Sequence, residues 1–147
     1  MKKLKNLYEK LLSYKFFDAD CVFATANRCI LNNEIIKHII DHCPNLNAEV
    51  NVNVYYVSTR LIHLLCKNSN EKYIQYIIDK GVELERPDNY GYYPLHLICE
   101  YSTCSMIKYI INKGVNIKSN PKIDLIEIIN CRSFAADEKK ELLTLIE

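Results

Sequence analysis

The sequence lacks any apolar run that could cross a membrane, since nothing in it approaches 18 consecutive apolar residues. It also lacks an excess of charge, because 19 basic and 18 acidic residues give a formal net charge of +1. Dedicated nucleic-acid-binding proteins normally display a clear cationic excess or stripe. We therefore expect neither a membrane nor a nucleic acid as partner.

The N-terminus lacks the apolar core of a signal peptide. The first lysines are followed by Glu9, Lys10 and Lys15, which interrupt any continuous apolar stretch. The cysteines form an odd set of seven without the dense spacing of a disulfide framework, so free thiols in a reducing compartment are expected. We predict one cytoplasmic, monomeric domain with an amphipathic first helix.

Glycine is scarce, with three residues, and no Gly-rich phosphate-binding loop, nucleophile-elbow serine or catalytic carboxylate pair occurs. What the sequence does contain is a segment repeated at a spacing of 33 residues. Leu61–Cys66 matches Pro94–Cys99, and Tyr73–Leu84 matches Met106–Ile117. Self-similarity at this period predicts stacked repeats, and proteins built in this way act through extended binding surfaces.

The copy that starts at Asp88 shows how one repeat folds. Gly91 suits a positive φ in a turn, and Pro94 suits the first position of an inner helix that runs to Tyr101. A hydroxyl of Ser102 or Thr103 can cap the outer helix, predicted over 106–113. Gly114 then ends that helix in a left-handed cap.

The other copies are less regular. Asn33–Leu46 matches Glu71–Leu84 at a spacing of 38, which puts five extra residues in the loop over 47–54. Leu125–Ile129 matches Leu95–Cys99 at a spacing of 30, which shortens the turn before Leu125. We predict an all-α solenoid of about four helix–turn–helix repeats joined by non-pairing hairpins, in a single domain over 1–147. Its parts are an N-terminal capping helix over 1–17, a degenerate repeat over 18–54, a repeat over 55–87, the best repeat over 88–120, and a degenerate C-terminal capping repeat over 121–147. The inner helix of the first degenerate repeat is predicted at Cys21–Cys29. The outer helix of the capping repeat is predicted to start at Asp137.

The best copy resembles the ankyrin repeat, whose signature is a Gly-x-Thr-Pro-Leu-His turn and a Leu-Leu-x-x-Gly-Ala ending. It departs from that signature at Tyr93, which replaces threonine, and at Cys99, which replaces a small alanine. The resemblance implies a concave binding face formed by hairpin tips and inner helices. It also implies that the motif histidines brace adjacent hairpins through hydrogen bonds. The structural motif residues are His63, Gly81, Gly91, Pro94, His96 and Gly114.

Two His-x-x-Cys pairs, His63/Cys66 and His96/Cys99, invite a different interpretation. A spacing of three places both side chains of a pair on one helical face, as zinc ligands or a Cys–His nucleophile would need. The repeat explains the same pattern without a metal site or a catalytic site, since cysteine fills a small core position. We therefore expect no metal, no cofactor and no catalytic residue, with a Cys/His enzyme as the alternative from another class.

Eleven tyrosines and no tryptophan point to the contact surface. Tyrosine combines a large contact area with a polar tip and is enriched at binding hot spots. We predict that the partner-binding residues are Tyr55, Tyr56, Arg60, Lys67, Asn68, Asn89, Tyr90, Tyr92, Glu100 and Tyr101. The alternative is that some of these rings pack between hairpins, above all Tyr93 and Tyr55.

The Ile-, Asn-, Lys- and Tyr-rich style is similar to that of ankyrin proteins of large DNA viruses, poxviruses above all. That resemblance implies a host-range or immune-evasion protein that binds a host protein in the cytoplasm of the infected cell. Two alternatives stay open within the binding class. One is an adaptor whose last thirty residues recruit a ubiquitin ligase, and the other is a truncated ankyrin relic without a partner.

Overall fold

The computed structural model describes residues 33–51, 58–68, 70–117 and 124–147. The first predicted helix (1–17) and the predicted inner helix Cys21–Cys29 lie outside this part of the chain. The described elements are α1 (Asn33–His42), β1 (Val50–Asn51), β2 (Ser58–Thr59), α2 (Leu61–Lys67), α3 (Glu71–Asp79), α4 (Pro94–Tyr101), α5 (Cys104–Asn112), α6 (Leu125–Cys131) and α7 (Ala136–Ile146).

The helices form two rows. In the inner row, α2 packs on α4 and α4 packs on α6, while in the outer row α1 contacts α3 and α5 contacts α7. Each inner helix also packs against the outer helix that follows it in the chain. The predicted all-α solenoid is confirmed, whereas its division into capping segments and individual repeats stays a prediction.

The burial pattern explains the two rows. In α2 the six residues Leu61–Cys66 are all buried, because this short helix is covered on several sides. The outer helix α3 buries only one stripe, formed by Tyr73, Ile74, Ile77 and Ile78, at the spacing that puts side chains on a single helical face. A continuous core therefore runs between the rows.

One hairpin differs from the prediction of non-pairing hairpins. β1 and β2 pair in antiparallel fashion, with Val50 opposite Thr59 and Asn51 opposite Ser58. Strand β1 lies within 47–54, where the repeat spacing places the five extra residues, so this insertion contributes one of the two paired strands. The prediction of non-pairing hairpins is wrong at this position.

The helix ends follow local signals. Thr103 accepts a hydrogen bond at its Oγ from the Met106 N–H, at 3.4 Å, and caps α5. Helix α6 begins 31 residues after α4, so the preceding turn is shortened by two residues and not by the predicted three. Helix α7 begins one residue before the predicted Asp137, since the Glu138 carboxylate accepts a hydrogen bond from the Ala135 N–H at 3.2 Å.

Polar side chains link successive outer helices. The Asp79 carboxylate accepts hydrogen bonds from the Tyr109 hydroxyl at 2.7 Å and from the Lys113 ammonium at 2.8 Å. One layer earlier, Asp41 accepts a hydrogen bond from the Tyr76 hydroxyl. Hydrogen bonds from Lys113 and then Tyr109 lower the pKa of the Asp79 carboxyl. Tyr76 and Tyr109 therefore bridge successive layers.

Gly114 adopts a φ of 82° after α5, in the region that a left-handed cap requires. A Cβ added there would meet no atom within 4 Å, so any cost of a side chain is conformational. We expect Gly114→Val to lower the free energy of unfolding by about 1–2 kcal/mol, measured by urea unfolding. Gly114→Asn is the control and should lose less, because asparagine tolerates this conformation. Equal losses in both variants would contradict the assignment.

Candidate functional site

A buried carboxylate shapes the turn before α4. The Asp88 side chain is 1% exposed, and its Oδ1 accepts hydrogen bonds from the backbone N–H groups of Tyr90 and Tyr92, both at 3.0 Å. The Asp88 N–H donates to the Tyr92 carbonyl at 2.8 Å, and Gly91 has a φ of 86°. Asp88 therefore determines the conformation of the turn. Its signal in the sequence is an aspartate that opens a turn and can bond to backbone groups just after it.

Lys67, at the end of α2, joins that turn to the preceding layer. Its ammonium donates to Asp88 Oδ2 at 3.1 Å and lies 5.6 Å from the centroid of the Tyr90 ring. Tyr90 itself is 63% exposed. Tyr90 is thus a solvent-exposed aromatic side chain that lies on an ordered turn, beside the Lys67 ammonium.

A second group of side chains surrounds Tyr101 at the other end of α4. Tyr101 is exposed, and Tyr92 is half-buried against the core. The pKa of the Tyr101 hydroxyl is raised, mainly because its surroundings partly desolvate the phenolate and further because Glu100 is hydrogen-bonded and negatively charged beside it. Tyr92 also contributes to this shift, so Tyr92, Glu100 and Tyr101 are electrostatic neighbours.

Some of the remaining predicted contact residues lie beside these two groups, and others lie elsewhere. Asn89 lies exposed at the turn beside Tyr90. Asn68 is exposed after α2, where its side-chain amide donates to the Leu64 carbonyl at 2.7 Å. Tyr55 and Tyr56 lie outside the described residues.

Arg60 does not belong to an exposed contact surface. It is 4% exposed, and its guanidinium donates to the Pro87 carbonyl at 3.0 Å, to the Asn47 carbonyl at 3.3 Å and to the Glu49 carboxylate. The prediction of a partner contact at Arg60 is wrong, because carbonyls of two loops and one acidic side chain lie within reach of its donors. Arg60 instead connects the loop before the repeat over 55–87 to the last residue of that repeat.

The motif histidines are both buried but differ in hydrogen bonding. His96 accepts a hydrogen bond at Nδ1 from the Tyr93 N–H at 3.1 Å, within its own layer. Neither ring nitrogen of His63 meets the distance and angle of a hydrogen bond, although the Arg86 backbone in the next hairpin lies close enough to raise the pKa of the ring. The hydrogen bond of His96 stays within its own repeat, whereas the bracing of adjacent hairpins at His63 stays a prediction.

Burial of the motif cysteines makes them unreactive. It raises the pKa of the Cys66 thiol, and it raises that of Cys99 to about 12. Both are protonated at neutral pH, and a thiol is a far weaker nucleophile than a thiolate. Within the described ranges, no three or more His, Cys, Asp or Glu side chains are grouped as they would be around a metal ion.

Burial lowers the pKa of His63 from 6.5 to about 4, with Asp88 opposing the shift and Arg60 adding to it. The unfolded chain binds this proton below pH 6.5 and the folded chain does not. The contribution to stability is therefore complete above pH 6.5 and is lost as the pH falls towards 4. We expect a loss of up to roughly 3 kcal/mol in the free energy of unfolding over this interval.

In urea unfolding, the variant His63→Leu should flatten that pH dependence of stability. A smaller part should remain, because burial also lowers the pKa of His96. Its stability at pH 7.5 serves as the reference for any packing defect. An unchanged slope between pH 6.5 and 4 would show that other groups are responsible.

The internal role of Arg60 leads to a prediction about folding. Arg60→Met should lower the free energy of unfolding by about 1–3 kcal/mol, because two carbonyls and one carboxylate lose their donors. Arg86→Met is the matched control, since Arg86 forms an exposed ion pair with Glu83 and should change stability by less than about 0.5 kcal/mol. Similar thermal unfolding of the two variants would contradict the role given to Arg60.

Comparison with known proteins agrees with this geometry. The family model described as ankyrin repeats (3 copies) matches residues 22–121, and no curated protein matches the chain. Such repeats indicate a module for protein–protein interaction, and they are typically non-catalytic. The helices of the described part of the chain are all too short or too polar to traverse a bilayer. The family match spans more than half of the chain and implies the stacked helix pairs described above, so the protein belongs to the ankyrin-repeat family.

Proposed function

We propose that the protein is a non-catalytic module that binds another protein through the turn at Asp88–Tyr92 and the adjoining ends of α2 and α4. The observation that carries the proposal is the position of Tyr90, which is 63% exposed on a turn fixed by buried hydrogen bonds. A turn whose backbone is already fixed loses little conformational entropy on binding. Tyrosine in such a position supplies contact area together with a polar tip.

The proposed contact surface comprises the exposed or half-buried members of the predicted set. It mixes aromatic rings with one cation, Lys67, and one carboxylate, Glu100, which can steer and orient a complementary partner. Arg60 is excluded because its donors are occupied internally. Tyr55 and Tyr56 stay predictions. The surface consists of Lys67, Asn68, Asn89, Tyr90, Tyr92, Glu100 and Tyr101.

We further propose that the chain is a monomeric viral ankyrin protein and that its partner is a host protein of the infected cell's cytoplasm, bound so as to counter host defence. The support is the residue style, rich in Ile, Asn, Lys and Tyr and without tryptophan. A partner that is also bound in uninfected cells would fit this role, because the target would be a normal component of the host.

Replacement of Tyr90 and Tyr92 by alanine should weaken partner binding by roughly tenfold or more while changing folding less. The partner is first captured from cell lysate with the wild-type chain, identified by mass spectrometry and then titrated calorimetrically. Tyr90→Ala alone separates contact from packing, because its ring is exposed whereas Tyr92 packs against the core.

The matched control is Leu145→Ala, which removes an exposed apolar side chain from the outer helix α7. It should bind as the wild type does. Normal binding by the double tyrosine variant, or capture of no protein above background, would contradict the proposed function.

A further inference from the structure

The inner helices end in a row of exposed side chains that crosses three layers. Helices α2, α4 and α6 bury the same position, which is occupied by Leu65, Ile98 and Ile129. These helices also pack in order, α2 on α4 and α4 on α6. The residues two positions later are all exposed and occupy corresponding places on successive layers. This inner-helix row consists of Lys67, Glu100 and Cys131.

The spacing of the row favours one kind of partner element. Packed helices lie about 8–10 Å apart, so the row from Lys67 to Cys131 covers roughly 16–20 Å. An α-helix returns to the same face after about seven residues, a rise of about 10.5 Å. An extended strand rises by about 10 Å in three residues, but the side chains at the two ends of that step point to opposite faces. A helix that lies along the row therefore meets successive layers with one face, whereas a strand does not.

The first two layers of the row carry charges of opposite sign. The Lys67 ammonium donates to Asp88 at 3.1 Å, and the Asp88 side chain is 1% exposed, so that a partner meets the cation and not the carboxylate. An ammonium has three donors and can bind a second carboxylate. Glu100 is exposed, and its negative charge acts on the Tyr101 hydroxyl to which it is hydrogen-bonded. The row thus presents a cation on one layer and a carboxylate on the next.

The third layer presents a small side chain of low polarity. Cys131 is an exposed free thiol at the last position of α6. Cysteine behaves as a small hydrophobic side chain with weak hydrogen-bonding capacity, so this position suits an apolar contact. The contact residues predicted from the sequence end at Tyr101, one layer earlier. The signal for Cys131 is its place in the repeat, which corresponds to that of Glu100.

We propose that the partner presents an α-helix that lies along the inner-helix row. An acidic residue of that helix faces Lys67, a basic residue about seven positions later faces Glu100, and an apolar residue about seven positions later still faces Cys131. A helix bound in the reverse direction would set like charges together, so the row also fixes the direction of binding. This inference rests on the proposed function, because it names the element that the contact surface recognises and adds a third layer to it.

The test uses two alanine-rich helical peptides of about 20 residues. The first carries a glutamate, a lysine and a leucine in this order, each seven residues after the one before. The control has the same composition with a separation of five residues, so its three side chains do not share a face. The ¹⁵N-labelled full chain is titrated with each peptide, and circular dichroism verifies that both are helical. We expect shifts in the amides along the row and binding at least roughly fivefold tighter for the first peptide.

Variants of the chain test each layer. Glu100→Lys should weaken binding of the first peptide by roughly fivefold or more, and should favour the same peptide with glutamate in place of its lysine. Cys131→Arg should also weaken binding, because it sets a bulky cation against the leucine. The matched control is Asn112→Arg, which adds the same side chain at the exposed last residue of the outer helix α5 and should bind as the wild type does. Cys131→Ser keeps the size of the side chain and should bind within about twofold of the wild type.

Equal affinity for the two peptides, no shifts with either at millimolar concentration, or wild-type affinity in Glu100→Lys would each overturn the helical mode of binding. The contact surface is judged separately, by the captured partner and the variant Tyr90→Ala. If that variant loses partner binding while the two peptides bind equally, the contact surface stands and the inference about a helix along the row is wrong.

Discussion

The packing of each helix pair on the next is the interaction on which the rest of this protein depends. Its described helices are only seven to eleven residues long, and helices of this length are marginal in water by themselves. The inner helix α2 buries six of its seven residues, which requires neighbours on several sides at once. Removing one layer would expose the apolar face of the next, so the stability of each layer depends on its neighbours.

Polar contacts between layers add order to this apolar stack. Arg60 and Asp88 are buried and bond mainly to backbone groups, where an unmet donor or acceptor would be costly. The Asp79–Tyr109–Lys113 group is exposed, and contacts of this kind contribute little to stability. The buried contacts therefore fix the loops, while the exposed ones align the outer helices.

The same architecture offers two edges to other molecules. The turns before the inner helices carry Tyr90 on a rigid backbone, and the turns after them begin beside the exposed row of Lys67, Glu100 and Cys131. Along each edge, stacking sets similar turns side by side.

The sequence by itself determined the period, the order of helices and most of their ends, because these depend on local signals. Pro94, Thr103 and Gly114 act on the few residues around them, and the recurring isoleucines mark the buried stripe wherever the helix lies. Only the tertiary structure decided the partners of Arg60, the surroundings of the buried His63 ring and the pairing of β1 with β2. Those properties depend on groups that lie apart in the chain, such as Asn51 and Ser58 or Arg60 and Pro87. A spacing pattern does not encode which of these groups come within bonding distance.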